Sequence, residues 1–95
     1  MVYFVYILCS RPGGALYIGS TKNLRARVEQ HRQKAIPGHT ARYNIDTLVW
    51  FQAFDDPSEA FQMERRMKKW RRAWKEQLIM DANPNWRDIT SQIPD

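Results

Sequence analysis

The sequence predicts a small α+β domain: a three-stranded antiparallel sheet flanked by helices, in the order β-β-α-β-α-α. Three observations predict it. Two apolar runs near the start, rich in β-branched and aromatic residues, are separated only by Arg11 to Gly14. A third such run, Leu48 to Phe54, follows a stretch with helical spacing. Asp56-Pro57-Ser58-Glu59 then carries the clearest helix-start signal in the chain and opens a long amphipathic segment.

Each element follows from its residues. Val2 to Leu8 is almost wholly apolar and short, which reads as a buried strand. Pro12-Gly13-Gly14 is turn chemistry, and Ala15 to Gly19 reads as the second strand. So short a connection cannot make a parallel crossover, so the pair is an antiparallel hairpin. Thr21 to Ala35 reads as a helix capped by Thr21 or Asn23. Leu24, Val28, His31 and Ala35 share one face of it, Arg27 borders that face, and Arg25, Glu29, Arg32 and Lys34 point outward. Pro37-Gly38 ends it. His39 to Asp46 is a polar loop with Thr40, Arg42 and Tyr43, before the third strand, Leu48 to Phe54. Asp56 is then the N-cap, Pro57 sits at N1 and Glu59 at N3, close to a capping box. Ala60, Met63, Met67, Trp70, Trp74 and Leu78 continue at helical spacing, which fits one long helix or two in sequence. Asn83-Pro84-Asn85 ends that run, so residues 1–82 read as the core and 83–95 as a C-terminal tail.

The chain has 95 residues, which fits a single domain. Its 15 basic and 10 acidic residues give a net charge of +5, which favours a polyanionic partner over ordinary solubility charge. The lone Cys9 cannot form an internal disulfide, has no neighbouring base and reads as a small core residue in a reducing, cytoplasmic setting. No run reaches the roughly 18 apolar residues of a membrane span. The start lacks the pattern of a signal peptide.

Several polar residues stand out against this frame. Tyr6 and Tyr17 lie in adjacent strands; whether they share a face depends on a register that the sequence leaves open. Arg27 and His31 lie on neighbouring turns of one helix. Glu64 falls between Ala60 and Met67 on a stripe that should face a core or a cleft, where a carboxylate needs a metal or an arginine partner. This set suits metal-assisted attack on a phosphodiester. The plain alternatives are satisfied strand tyrosines, a solvated arginine, a core histidine and a salt-bridged glutamate. Nothing gives His31 and His39 a zinc-site partner set. Arg65, Arg66, Lys68, Lys69, Arg71, Arg72 and Lys75 fall within eleven residues that contain no acid. Such a run suits phosphate neutralisation, the alternative being a solvated face. Trp70 and Trp74 interleave with it but follow the apolar stripe, so core packing outweighs base stacking for them.

Laid out this way, the chain resembles the GIY-YIG nuclease superfamily, and within it the small stand-alone bacterial endonuclease subgroup. Phe4-Val5-Tyr6 stands where the first triplet would be, with Phe and Val for Gly and Ile, and Tyr17-Ile18-Gly19 matches the second. Lys22 to His31 is similar to the family helix, with Arg27 and His31 as its Arg-x-x-x-His pair. Ile36-Pro37-Gly38-His39-Thr40-Ala41-Arg42-Tyr43 and Leu48-Val49-Trp50 look like the subgroup's loop and third strand, and Glu64 with Lys68-Lys69-Trp70 resembles the metal-carboxylate helix. Some relatives carry a lysine directly after the second triplet; Ser20 stands here. Relatives break the last helix near Trp70-Arg71, which no Ser, Gly or Pro marks in this chain.

The resemblance implies a metal-dependent DNA endonuclease. Glu64 would hold Mg²⁺ (or Mn²⁺), Tyr17 or Tyr6 would activate water, Arg27 would bind the scissile phosphate and His31 would support a tyrosine. Asn83 is the candidate for the asparagine that completes the site in many members. Lys22, Arg42, Arg65, Lys68, Lys69 and Arg72 are the expected nucleic-acid contacts. Members often gain specificity from an attached DNA-binding module. None is present here, so specificity is low, structural or supplied by a partner protein. The alternative is a non-catalytic nucleic-acid-binding module that keeps the fold.

Overall fold

The computed structural model describes residues 2–35 and 37–94. Ile36, the first residue of the loop motif, lies outside the described residues, as do Met1 and Asp95. The apolar runs form the strands β1 (Tyr3–Cys9), β2 (Leu16–Thr21) and β3 (Thr47–Phe54). The helices are α1 (Leu24–Arg32), the short α2 (His39–Arg42), α3 (Pro57–Lys69) and α4 (Arg72–Ala82). The sheet is antiparallel in the order β2-β1-β3, so β1, the most apolar strand, is central and every residue from Phe4 to Cys9 is buried. A fully buried central strand requires cover on both faces. Helix α1 supplies it on one face, where Leu24 and Val28 meet Phe4, Tyr6, Leu8 and Leu48. Helices α3 and α4 cover the other, where Ala60, Met67 and Ile79 meet Val5, Ile7, Cys9 and Val49. Cys9 is a core residue, and burial first, then Asp46, push its thiol up to about 11, with the Arg11 backbone opposing.

A β-bulge explains how Leu48, Val49 and Trp50 are all buried. Ile7 pairs with Trp50 and Leu8 with Leu48, so Val49 is the extra residue. The slip turns Leu48 toward α1 while Val49 and Trp50 join the opposite core.

Two helix boundaries are set locally. Asn23 caps α1 by accepting from Ala26 N at 3.1 Å, while Thr21 Oγ1 accepts from Asn23 N at 3.1 Å instead of capping. The helix stops short of Ala35 because Lys34 turns left-handed (φ 55°), with Lys34 N donating to His31 O at 3.1 Å and Ala35 N to Gln30 O at 2.9 Å. That is a Schellman closure with lysine in the usual glycine position. Asp56 caps α3 by accepting from Ser58 N at 2.9 Å, with Pro57 at the first turn.

The final helical run is two helices. Trp70 and Arg71 are both extended (ψ 152° and 150°), and Arg71 O then accepts from Trp74 N at 3.1 Å to start α4. The cause is tertiary. Trp70 packs against the core, and Ile79 is carried under β3.

Residues 83–94 do not form the expected tail. Trp86 is buried on the α3–α4 side and Ile93 on the α1 side, so the segment wraps the edge of the sheet at β3. Asn83 Nδ2 donates to Val49 O at 3.1 Å, and Ile89 N donates to Leu48 O at 2.9 Å. An edge strand left bare exposes unpaired backbone groups, and this wrap covers them. The outward arginines of α1 hold it in place: Arg32 meets Asp88 at 2.6 Å and Thr90 at 2.9 Å, and Arg25 reaches Ile93 O at 2.8 Å. Among the described residues, no helix is long and apolar enough to cross a membrane.

Candidate active site

The register settles which face each tyrosine takes. Tyr6 lies opposite Gly19 and Leu8 opposite Tyr17. Cross-strand partners share a face, as do residues two apart on one strand. Tyr6, Tyr17 and Gly19 therefore all face α1. Their neighbours Ile18 and Ser20 face α3.

Gly19 lets the rings meet. A Cβ there would stand 2.5 Å from Tyr6 Oη, 2.7 Å from Tyr6 Cζ and 3.1 Å from Tyr17 Cε2. The Tyr6 ring thus crosses β2 over a bare backbone position. Its centroid is 6.3 Å from that of Tyr17, and the His31 ring lies 6.2 Å from Tyr6 and 5.4 Å from Tyr17. Tyr6 is buried, while Tyr17 keeps partial exposure.

His31 is almost fully enclosed. Its Nε2 meets Tyr6 Oη at 3.4 Å and its Nδ1 meets Thr40 Oγ1 at 3.1 Å. Burial, then the charge of Arg27, lower its pKa below the ordinary 6.5, with Asp46 opposing, so the ring is neutral at neutral pH. Burial also drives the Tyr6 hydroxyl far above its ordinary value. Tyr17 and Glu64 push the same way and Arg27 opposes them. Arg27, one turn before His31, is half-buried, and among the described residues it has no carboxylate partner.

Glu64 reaches this region from the other face of the sheet. Its Oε1 accepts from Ser20 Oγ at 2.5 Å, and its Oε2 pairs with Lys68 Nζ at 2.7 Å. Burial raises its pKa, but the hydrogen bonds from Lys68 and Ser20, then the charges of Lys68 and Arg65, more than offset this and hold it below 4.5. The carboxylate is ionised at neutral pH. Edge strand β2 thus carries the cluster: Gly19 opens toward the tyrosines, and Ser20, the next residue, holds Glu64.

Among the described residues, no group of three or more His, Cys, Asp or Glu side chains could hold a metal together. Glu64 alone fits an ion that keeps most of its water, as Mg²⁺ does. Its Ser20 bond fixes one oxygen, and the other faces a cation already, in Lys68.

Asn83 is not part of this cluster. Its Nδ2 donates to Val49 O at 3.1 Å and Arg87 O at 2.8 Å, and its Oδ1 accepts from Arg87 N at 3.0 Å. It staples the C-terminal segment to β3. The basic run divides into separate tasks. Lys68 pairs with Glu64. Arg72 pairs with Glu76 at 3.0 Å and donates to Gly13 O at 3.0 Å and Gly14 O at 2.5 Å, tying α4 to the β1–β2 turn. Arg65, Arg66 and Lys69 line an open cleft with Gln62 on the outer side of α3. Lys22 is exposed just after β2, and Arg42 is exposed with its guanidinium 5.6 Å from the Tyr43 ring. Thr40 and Ser20 are the site residues that sequence reasoning missed. Thr40 meets His31 only through tertiary folding, and Ser20 stood out only as a departure from some relatives.

The GIY-YIG catalytic domain model matches residues 2–77, which include both tyrosines, the arginine–histidine helix and Glu64. The chain belongs to the GIY-YIG family. Within it, the chain is similar to a UPF0213 protein of Lacticaseibacillus paracasei, 33% identical over 85 residues, covering 90% of this chain and 93% of the relative. A UPF0213 protein of Staphylococcus aureus is 35% identical over 80 residues, covering 83% of this chain and 95% of the relative. The solution NMR structure of a UPF0213 protein from Bacillus halodurans superimposes with a TM-score of 0.58 at 27% identity and covers 100% of both chains.

Proposed function

We infer that this chain is a divalent-metal-assisted endonuclease that hydrolyses phosphodiester bonds in DNA. One observation carries the reading: edge strand β2 draws the tyrosines, His31 and Arg27 from one face and the ionised Glu64 from the other. A water nucleophile, a phosphate clamp and an anionic metal ligand are the requirements of such a hydrolysis.

In this reading Glu64 holds Mg²⁺ or Mn²⁺ and Ser20 orients the carboxylate. The bound ion would neutralise phosphate charge and favour ionisation of water. Arg27, which has no carboxylate partner among the described residues, grips the scissile phosphate through its planar fork. Tyr6, buried and raised in pKa, keeps its proton at neutral pH and serves as a hydrogen-bond donor. Tyr17, the partly exposed tyrosine, acts as the phenolate, its own proton given up to solvent, and takes the proton of the attacking water. Cations beside a tyrosine favour that role by stabilising its anion. His31, neutral, holds Tyr6 in place. The cleft of Arg65, Arg66 and Lys69, together with Lys22 and Arg42, contacts phosphates away from the cut.

The Lys68–Glu64 ion pair favours one alternative, a nucleic-acid-binding module whose carboxylate is neutralised by lysine in place of a metal. Incubating the pure protein with labelled duplex, single-stranded and branched DNA, with Mg²⁺ or Mn²⁺ and with chelator, separates the two. Metal-dependent cleavage that Tyr17→Phe slows about 10²- to 10⁴-fold supports the endonuclease. Binding without cleavage of any substrate supports the module. Equal rates for Tyr17→Phe and the unaltered protein would remove Tyr17 as the base.

A further inference from the structure

The two oxygens of Glu64 have unequal partners. Oε1 accepts from the neutral Ser20 hydroxyl at 2.5 Å, and Oε2 faces the Lys68 ammonium at 2.7 Å. Among the described residues, Lys68 is therefore the one cation in contact with this carboxylate. The Glu64 side chain is only 20% exposed, and a poorly hydrated carboxylate without a counterion is costly. Lys68 spares the protein that cost.

Lys68 is itself held at one end only. Its side chain is 50% exposed, and among the described residues it has no other hydrogen bond or ion pair. Arg72 differs: besides its pair with Glu76 it donates to Gly13 O and Gly14 O, so moving it would loosen α4 from the β1–β2 turn. Moving Lys68 breaks nothing but its contact with Glu64. Such an i,i+4 pair is weak, as a replaceable partner must be. Helical phase also places Lys68 on the strip of α3 between Glu64 and the open cleft of Arg65 and Lys69, so the flexible stem can swing out toward solvent.

We propose that Lys68 is a displaceable counterion: it occupies Glu64 in the metal-free protein, competes with the divalent ion for that carboxylate and so sets the metal concentration at which the site loads. That Glu64 takes a divalent ion rests on the endonuclease reading above. An ion bound to Glu64 and an ammonium left 2.7 Å from Oε2 would repel each other, so each weakens the other's hold. Lysine suits the exchange because its compact charge sits on a four-carbon stem that turns freely.

Two measurements test this, and neither needs turnover. Mn²⁺ binding in the absence of DNA is followed by the loss of the free-ion electron paramagnetic resonance signal. Lys68→Met keeps the stem and removes the charge, and it should bind Mn²⁺ about 5-fold more tightly than the unaltered protein, the lower end of coupling between two ligands. Lys68→Arg keeps the charge and should not tighten binding. Unchanged or weaker binding by folded Lys68→Met overturns the proposal, as does equal tightening by Lys68→Arg. Glu64→Gln keeps two failures apart. Lost binding in Glu64→Gln with no change in Lys68→Met removes the proposal alone. Binding by Glu64→Gln equal to that of the unaltered protein, or no binding by the unaltered protein and Lys68→Met alike, removes Glu64 as the metal ligand and takes the proposal with it. The second measurement uses the unaltered protein, so it does not depend on a variant's folding. Saturating Mg²⁺ should move the Lys68 Cε and Hε resonances to the positions of a free lysine side chain, and resonances that do not respond overturn the proposal.

Discussion

Replacing Gly19 with alanine adds one methyl group at the centre of the site. That carbon would stand 2.5 Å from Tyr6 Oη and 2.7 Å from Tyr6 Cζ, well inside contact distance. The Tyr6 ring has little room to retreat, since it is 2% exposed and backed by His31 at 3%. Overpacking of this kind costs about 1–3 kcal/mol. Alanine also restricts the unfolded chain and returns about 0.4–1 kcal/mol. The net loss is about 1–2 kcal/mol, or a fall in Tm of roughly 4–16 °C for a domain of this size. Urea and thermal denaturation followed by circular dichroism measure it. The His31 ring resonances should shift in the same variant, because Tyr6 Oη must leave its 3.4 Å approach to Nε2. A Gly19→Ala protein with unaltered stability and unaltered His31 resonances would show that Tyr6 does not cross β2 at Gly19, and the geometry of the cluster would fall with it.

Affinity for duplex DNA should weaken steeply with salt, each neutralised phosphate adding about 0.9 to the log–log slope. Reversing Arg65 and Lys69 to glutamate should flatten that slope in fluorescence-anisotropy titrations, and an unchanged slope would exclude the α3 cleft as the DNA contact. His31 should make stability depend on pH. Its folded pKa lies below its ordinary 6.5, so its contribution is fully present above that value and is lost as pH falls through the folded pKa. Urea midpoints should therefore drop more steeply on acidification below about 6.5 in the unaltered protein than in His31→Gln. Equal pH profiles would remove His31 as the cause. Lys34→Gly should raise stability by about 0.5–1 kcal/mol, since lysine holds a left-handed conformation (φ 55°) that glycine adopts freely, less the greater freedom of unfolded glycine. A destabilised Lys34→Gly protein would contradict that account of how α1 ends.

What was legible in the sequence was local or periodic. The strands showed as apolar runs, the start of α3 as Asp56-Pro57, and Glu64 as a carboxylate on an apolar stripe. What escaped depends on partners distant in the chain. Whether Tyr6 and Tyr17 share a face needs the pairing of Leu8 with Tyr17, and the β3 bulge at Val49 has no glycine to announce it. The break at Trp70 and Arg71 arises from packing of α4 against the sheet, not from a helix-breaking residue. Residues 83–94 looked like a tail because Asn, Pro and Asp dominate their start. Their anchors, Trp86, Ile89 and Ile93, stand at a helical spacing that the segment does not adopt, and they pack on opposite sides of the sheet. Nor could the basic run reveal that Lys68 and Arg72 are engaged within the protein, by Glu64 and by the turn at Gly13 and Gly14, while Arg65 and Lys69 line an open cleft.

In the proposed endonuclease, Glu64 is a metal ligand at the catalytic site and not merely the partner of Lys68. Glu64→Gln keeps the shape and can keep the Ser20 contact, while removing the charge that attracts a divalent ion. Single-turnover cleavage of labelled DNA at saturating protein, over a Mg²⁺ titration, is the direct measurement, with anisotropy to follow affinity. The unaltered protein should cut in proportion to bound Mg²⁺, and Glu64→Gln should bind DNA comparably but not cut. Cleavage by Glu64→Gln at the unaltered rate and with the same Mg²⁺ dependence would contradict it.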